Sequence, residues 1–254
     1  MSTINILDLS KKFTLNLEKA GVLIIPTLAA RLAVDKSGSM DDEFRDGLVD
    51  RTIALFTAAA LKFDDDGQLE MGFFNNYMER TPDATERDAG NYLKRVRQSA
   101  GGGTSYAPII VEFESKLAAP AAPVVAAPTQ AAPAPEKKGF FGSLFGKKDA
   151  PAPAPVAAAS AGNECAVRAY VGIITDGDAN DNRQFEAVLA KTSGDTFFQF
   201  IAIGNGVRTE YLTGIAAKYP HVSFMHLPDP KKTTDEQFYE KLCNEKLASW
   251  IKSA

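Results

Sequence analysis

Three short segments far apart in the sequence carry oxygen-bearing side chains, five of which, Asp35, Ser37, Ser39, Thr104 and Asp176, could meet on one ligand. The first segment reads Ala33-Val34-Asp35-Lys36-Ser37-Gly38-Ser39-Met40, the second Gly101-Gly102-Gly103-Thr104-Ser105, and the third Ile173-Ile174-Thr175-Asp176-Gly177-Asp178. Asp35, Ser37 and Ser39 alternate where a strand would give way to a loop, so their side chains can converge. The glycines of the second segment allow close backbone approach, and Thr104 offers a hydroxyl at a helix start. Asp176 follows an apolar run directly. A hard divalent cation takes oxygen ligands, and Mg²⁺ prefers near-octahedral geometry while keeping several waters. Two carboxylates roughly neutralise such an ion, and three hydroxyls add no charge. The ion therefore stays electrophilic and can accept one more carboxylate from outside.

The surrounding pattern supplies elements that could position these groups. Short apolar runs at Arg31 to Val34, Leu69 to Phe74, Val167 to Thr175, Thr196 to Ile203 and Val222 to Leu227 predict buried strands. Helical spacing is predicted over Phe44 to Phe63, Arg87 to Gln98, Ser105 to Leu117, Arg183 to Lys191, Glu210 to Tyr219 and Asp235 to Lys252, with Pro108 suited to a first turn. Phe13, Leu15 and Leu17 alternate with polar residues and predict a half-buried strand. Strands alternating with helices imply an α/β fold: a doubly wound, mostly parallel sheet covered on both faces. Ligands of such sheets bind beyond the carboxyl ends of the strands. That rule makes the loops at Asp35, Gly101 to Thr104 and Asp176 the places to look.

With the order Asp35-x-Ser37-x-Ser39, then Thr104, then Asp176 in a Thr-Asp-Gly setting, the chain resembles von Willebrand factor A (vWA) domains and their metal-ion-dependent adhesion site (MIDAS). The resemblance covers Arg31 to Leu117 and Val167 to Trp250. It implies that Ser37 and Ser39 bind the cation directly and Thr104 does so in some states. Asp35 and Asp176 would often act through water. The cation would be Mg²⁺, with Mn²⁺ or Ca²⁺ as alternatives, and the function binding of a protein partner that presents Asp or Glu to it. The opening stretch Ile4 to Lys12 and Leu15 to Lys19, and the terminal segment with Trp250, are similar to bacterial vWA proteins of tellurium-resistance (Ter) systems, of the TerF/TerY kind. That similarity implies intracellular stress-response or phage-defence assemblies, with other Ter-type proteins as partners.

One composition shift interrupts the pattern. From about Leu117 to Gly162 the chain turns to Ala and Pro and holds eight of its 14 prolines (Pro120, Pro123, Pro128, Pro133, Pro135, Pro151, Pro153 and Pro155). Ala-Pro repeats favour extended geometry and cannot build a core. The predicted organisation is therefore an N-terminal Ter-like segment over 1–30, a discontinuous vWA domain over 31–117 and 163–254, and a disordered insertion over 118–162. Loop closure costs rise slowly with length, so the core should tolerate it. Inside the insertion, Phe140, Phe141, Leu144 and Phe145 lie between the lysine pairs Lys137-Lys138 and Lys147-Lys148. They are candidates for partner docking, and a membrane touch through 137–148 is the lesser reading.

Other chemistries fit less well. The net charge of −4 over 254 residues offers no basic field for nucleic acid. No lysine precedes Thr104 as a phosphate-binding loop requires, and an EF-hand starting at Asp35 would put Met40 where glycine belongs. No Ser-His-Asp order or Cys-His pairing stands out around His221 and His226, which read as structural, so no catalytic residues are assigned and the protein reads as no enzyme. The rival enzymatic reading is a Mg²⁺-dependent phosphotransferase or phosphatase using Asp35, Asp176 and Asp178. A third reading is a scaffold that binds through the Phe-rich insertion. Asp64 to Asp66 read as a solvated turn. Cys165 and Cys243 read as buried free thiols of a reducing compartment. With neither a signal sequence nor an apolar run of about 20 residues, the expected setting is cytoplasmic.

Overall fold

The computed structural model describes residues 5–64, 67–88, 90–117 and 168–253. The chain opens with α1 (Ile6–Lys19), then β1 (Ala29–Asp35), a 3₁₀ turn, α2 (Asp41–Arg45), α3 (Leu48–Ala60), β2 (Gln68–Phe74), β3 (Met78–Thr85), α4 (Tyr92–Val96) and α5 (Ala107–Leu117). After residue 168 come β4 (Ala169–Thr175), α6 (Asn182–Leu189), β5 (Thr196–Ile203), α7 (Glu210–Lys218), β6 (Val222–Leu227), α8 (Asp235–Leu242) and α9 (Glu245–Lys252).

The strands form one six-stranded sheet in the order β3-β2-β1-β4-β5-β6. Every pairing is parallel except that of β2 with β3. Chain order reverses between β1 and β4, so β1 is flanked by strands reached in opposite directions. This is the doubly wound α/β fold, and that reversal is where its ligand crevice opens. The β1–β4 pairing (Ala29 opposite Ala169 through Val34 opposite Ile174) also joins the parts of the chain before and after 118–167.

Period-two alternation divides the strand side chains between two cores. Leu32, Val34, Tyr170, Ile174, Phe197 and Ile201 face α1, α3, α8 and α9, while Ala33, Val171, Ile173, Phe198 and Phe200 face α5, α6 and α7. Both faces are covered, which is why the central strands read as continuous apolar runs. β5 and β6 occupy the residues their apolar runs predict.

Four expectations need correction. Phe13, Leu15 and Leu17 lie in helix α1, not in a strand. The apolar positions that count are Ile6, Leu9, Phe13 and Leu17, which recur at helical spacing and are buried, whereas Leu15 is 54% exposed. The ring of Phe13 packs against Phe63 and Tyr239 at centroid distances of 5.5 and 5.8 Å, fixing α1 to the sheet's first core. The helix predicted over Phe44 to Phe63 is two, because Gly47 takes a left-handed φ of 73° between α2 and α3. That over Arg87 to Gln98 shrinks to a 3₁₀ turn and α4. The terminal helix breaks at Cys243, and Asn244 caps α9 by accepting the Lys246 and Leu247 amides. β3 had no apolar signal. It is a charged edge strand with Pro82 in it, and edges of that kind resist pairing with other chains. Among the described residues no helix is long and apolar enough to cross a membrane.

Candidate metal centre

The backbone places all three oxygen-rich loops at the sheet's reversal point. β1 delivers Asp35 with no exposed surface, and the Ser37 amide folds back to donate to its Oδ1 at 2.7 Å. This tight Asx-type turn points the following residues outward. The hydroxyls of Ser37 and Ser39 end 3.1 Å apart, Ser37 buried and Ser39 exposed. The second loop backs onto the first through two backbone bonds, Gly38 amide to Gly102 carbonyl at 3.0 Å and Gly101 amide to Lys36 carbonyl at 2.7 Å. Gly102 holds a φ of 91°, and a Cβ there would meet the Asn75 side-chain amide at 2.9 Å. Only glycine permits both the conformation and the approach.

The third loop joins the other two. Thr175, the last residue of β4, donates its hydroxyl to Asp35 Oδ2 at 2.8 Å. Tyr106 lies behind it, its phenol 3.0 Å from Thr175 Oγ1 and donating to the Gly177 carbonyl. Thr104 is 5% exposed, and its carbonyl accepts the Asn180 amide at 2.8 Å. Asp176 is half-buried beside the Ser39 hydroxyl.

Burial pushes the Asp35 carboxyl up to about 7, against the hydrogen bonds from Ser37 and Thr175, and the like charge of Asp176 adds to the rise. Burial raises Asp176 too, opposed by the Ser39 hydroxyl. Glu43 adds a third negative group. Its carboxyl is raised by burial and next by its own neighbourhood's charges, Asp176 among them, and its Oε2 is buried without a hydrogen-bond partner. Burial and like charge favour the protonated form of these carboxyls, and a cation among them would favour the charged form instead. Two hydroxyl oxygens 3.1 Å apart also match the edge of an octahedron with Mg–O bonds of 2.0–2.1 Å, roughly 3 Å. The donor set therefore fits a hard divalent ion. Among the described residues no group of three or more His, Cys, Asp or Glu side chains gathers as a metal cage. The candidate centre is hydroxyl-rich instead.

Asp178 pairs with Arg208, 3.6 Å from its guanidinium. His221 pairs with Thr192 Oγ1 at 2.8 Å and His226 with the Gly204 carbonyl at 2.8 Å, both remote in role from the centre. Cys243 is a buried free thiol. Cys165, Asp65, Asp66 and the patch Phe140, Phe141, Leu144 and Phe145 lie outside the described residues. Thr175, Tyr106, Asn75 and Asp181 carry no functional signal of their own in the sequence. Thr175 stood beside Asp176, and the inward phase of a buried strand end was the one available signal.

Known proteins share this architecture. The profile of the family described as vWA-TerF-like, the vWA found in TerF C terminus, matches residues 27–254. The uncharacterized protein YcbR of Bacillus subtilis (strain 168) is 22% identical over 258 residues, covering 95% of this chain and 88% of its own. A von Willebrand factor type A structure from Catenulispora acidiphila superposes with a TM-score of 0.51 at 11% identity, over 87% of this chain and 43% of that one. Proximal thread matrix protein 1 from the mussel byssus, solved with a zinc-occupied MIDAS motif, gives 0.51 at 12% identity, over 88% of this chain and 49% of that one. This chain thus spans less than half the length of either solved protein, and the likeness is one of fold. With its profile match running from the start of the sheet to the last residue, the chain belongs to the von Willebrand factor A family, in the group described as the vWA found at the TerF C terminus.

Proposed function

We propose that this domain recognises an acidic residue of a protein partner through a divalent cation. Ser37, Ser39 and Thr104 supply hydroxyl ligands, and Asp35 and Asp176 supply the charge, directly or through water. The observation that carries this reading is the meeting of the Ser37 and Ser39 hydroxyls, 3.1 Å apart, above the buried Asp35 at the reversal point of the sheet. Oxygen donors without sulfur or imidazole favour Mg²⁺ over softer ions, with Mn²⁺ and Ca²⁺ as substitutes. Only two carboxylates stand in the ligand set, so the bound ion keeps affinity for a third from the partner. The TerF name in the family description is what links the proposal to tellurium resistance; a cytoplasmic stress-response or phage-defence assembly with other Ter-type proteins as partners is proposed with it.

Phosphoryl transfer is the weaker reading. A nucleophilic aspartate must be reachable, and Asp35 has no exposed surface and both oxygens engaged by Ser37 and Thr175. Asp178 is drawn to Arg208. The domain is therefore read as a binding module and not an enzyme.

The test is capture of partners from the host's lysate by the full chain with Mg²⁺, by the same chain in EDTA, and by Asp35→Ala. Partners retained only by the wild type with Mg²⁺ support the proposal. Equal capture in all three removes the metal from recognition. Deleting Pro120 to Pro155 in parallel separates the roles, since metal-dependent partners would survive it and partners of the Phe-rich segment would not.

A further inference from the structure

The amides at the start of α5 have an unusual partner. A helix leaves its first amides without intrahelical acceptors, and the residue just before it commonly supplies one. Tyr106 stands there, and the hydroxyls of Thr104 and Ser105 come just before it, but neither hydroxyl is needed for that task. The Ser105 amide donates to the Asn75 carbonyl at 2.7 Å. The Tyr106 amide donates to Asp181 Oδ1 at 2.9 Å, and the Ala107 amide to Asp181 Oδ2 at 2.8 Å. Pro108 has no amide hydrogen to place. The Ile109 amide donates to the Tyr106 carbonyl at 3.1 Å, so every amide of the first turn is accounted for without the Thr104 hydroxyl.

Asp181 itself is the N-cap of α6, the position where an aspartate ordinarily serves its own helix. It makes no side-chain bond to α6. Both its oxygens cross to α5, 75 and 74 residues away in sequence. The neighbouring Asn180 amide adds the bond to the Thr104 carbonyl at 2.8 Å. Three bonds therefore run from residues 180–181 to residues 104–107. The loop carrying Asp176 and the loop carrying Thr104 are fastened into one piece.

We infer that Asp181 is a positioning residue for the metal centre, holding the start of α5 so that the Thr104 hydroxyl is free and aimed with Asp176 at the cation. This rests on the reading of Thr104 and Asp35 as parts of the metal site. Acting through Thr104, the clamp should matter to the cation only while Thr104 is present. Outer partners of this kind typically contribute 10–100-fold to metal affinity.

The experiment is calorimetric titration of Mg²⁺ into the full chain as wild type, Asp181→Ala, Thr104→Ala, the double variant and Asp35→Ala, each checked for cooperative unfolding in EDTA. Asp181→Ala should weaken binding 10–100-fold, and the same substitution should change affinity less than about twofold in the Thr104→Ala background, as a shared route requires. Asp181→Asn keeps one acceptor and should fall between, which preserves the test if the alanine variant unfolds. Loss of binding in Asp35→Ala with unchanged affinity in Asp181→Ala overturns the clamp alone. An undiminished Asp181→Ala effect without Thr104 overturns it too. Wild-type affinity in Asp35→Ala and Thr104→Ala overturns the underlying site.

Discussion

Thr175 and Asp35 meet across the sheet's reversal point, the hydroxyl at the end of β4 donating to the carboxylate at the end of β1 at 2.8 Å. The bond joins a strand that precedes the Ala/Pro-rich insertion to one that follows it. It also fixes the orientation of a carboxylate with no exposed surface. Thr175→Val keeps the shape and removes the donor. Mg²⁺ affinity, read by calorimetry, should fall about tenfold. Unchanged affinity would show that Asp35 needs no such support.

The buried Asp35 makes the metal-free protein sensitive to pH. Its folded-state carboxyl is raised from 3.8 to about 7, so between those values the folded chain holds a proton that the unfolded chain has lost. Stability in EDTA should therefore decline as pH rises from about 4 to about 7, by at most on the order of 4 kcal/mol. Cation binding expels that proton, so Mg²⁺ affinity should rise over the same window. Denaturant titrations across pH check the first statement, and the slope should flatten in Asp35→Asn.

Helix α1 separates two residues that a strand would have placed alike. Phe13 is fully buried between Phe63 and Tyr239, and Leu15 is 54% exposed. Phe13→Ala should cost about 3–5 kcal/mol in urea unfolding, and Leu15→Ala within about 0.5. Equal costs would contradict the helical packing.

Gly102→Ala should damage the site more than the fold. The new Cβ meets the Asn75 amide at 2.9 Å in a left-handed backbone, and Asn75 is the residue that donates to the Gly101 carbonyl at 3.0 Å. A stability loss of about 1 kcal/mol or more is expected from the backbone alone. Weaker Mg²⁺ binding should accompany it, measured on the folded variant.

Much of this molecule is legible in its sequence because its signals are local. β5 is buried on both faces, so Thr196 to Ile203 reads as a strand to the residue. Asp35, Ser37 and Ser39 announce themselves by spacing within one turn. What escaped has tertiary causes. β3 owes its existence to pairing with β2 and carries no apolar pattern of its own. Three alternating residues around Leu15 mimicked a strand because the window was too short to reveal Ile6, Leu9, Phe13 and Leu17 as one helical stripe. Asp181 looks like an ordinary cap of α6, and only the fold shows its oxygens spent on Tyr106 and Ala107.

The most direct test of the central claim is a Mg²⁺ titration of the full chain followed by addition of a carboxylate-bearing peptide, with Asp35→Ala and Ser39→Ala alongside. One cation per wild-type chain is expected, with peptide binding only when the cation is present and loss of both in each variant. Cation and peptide binding that survive Asp35→Ala and Ser39→Ala would contradict that claim.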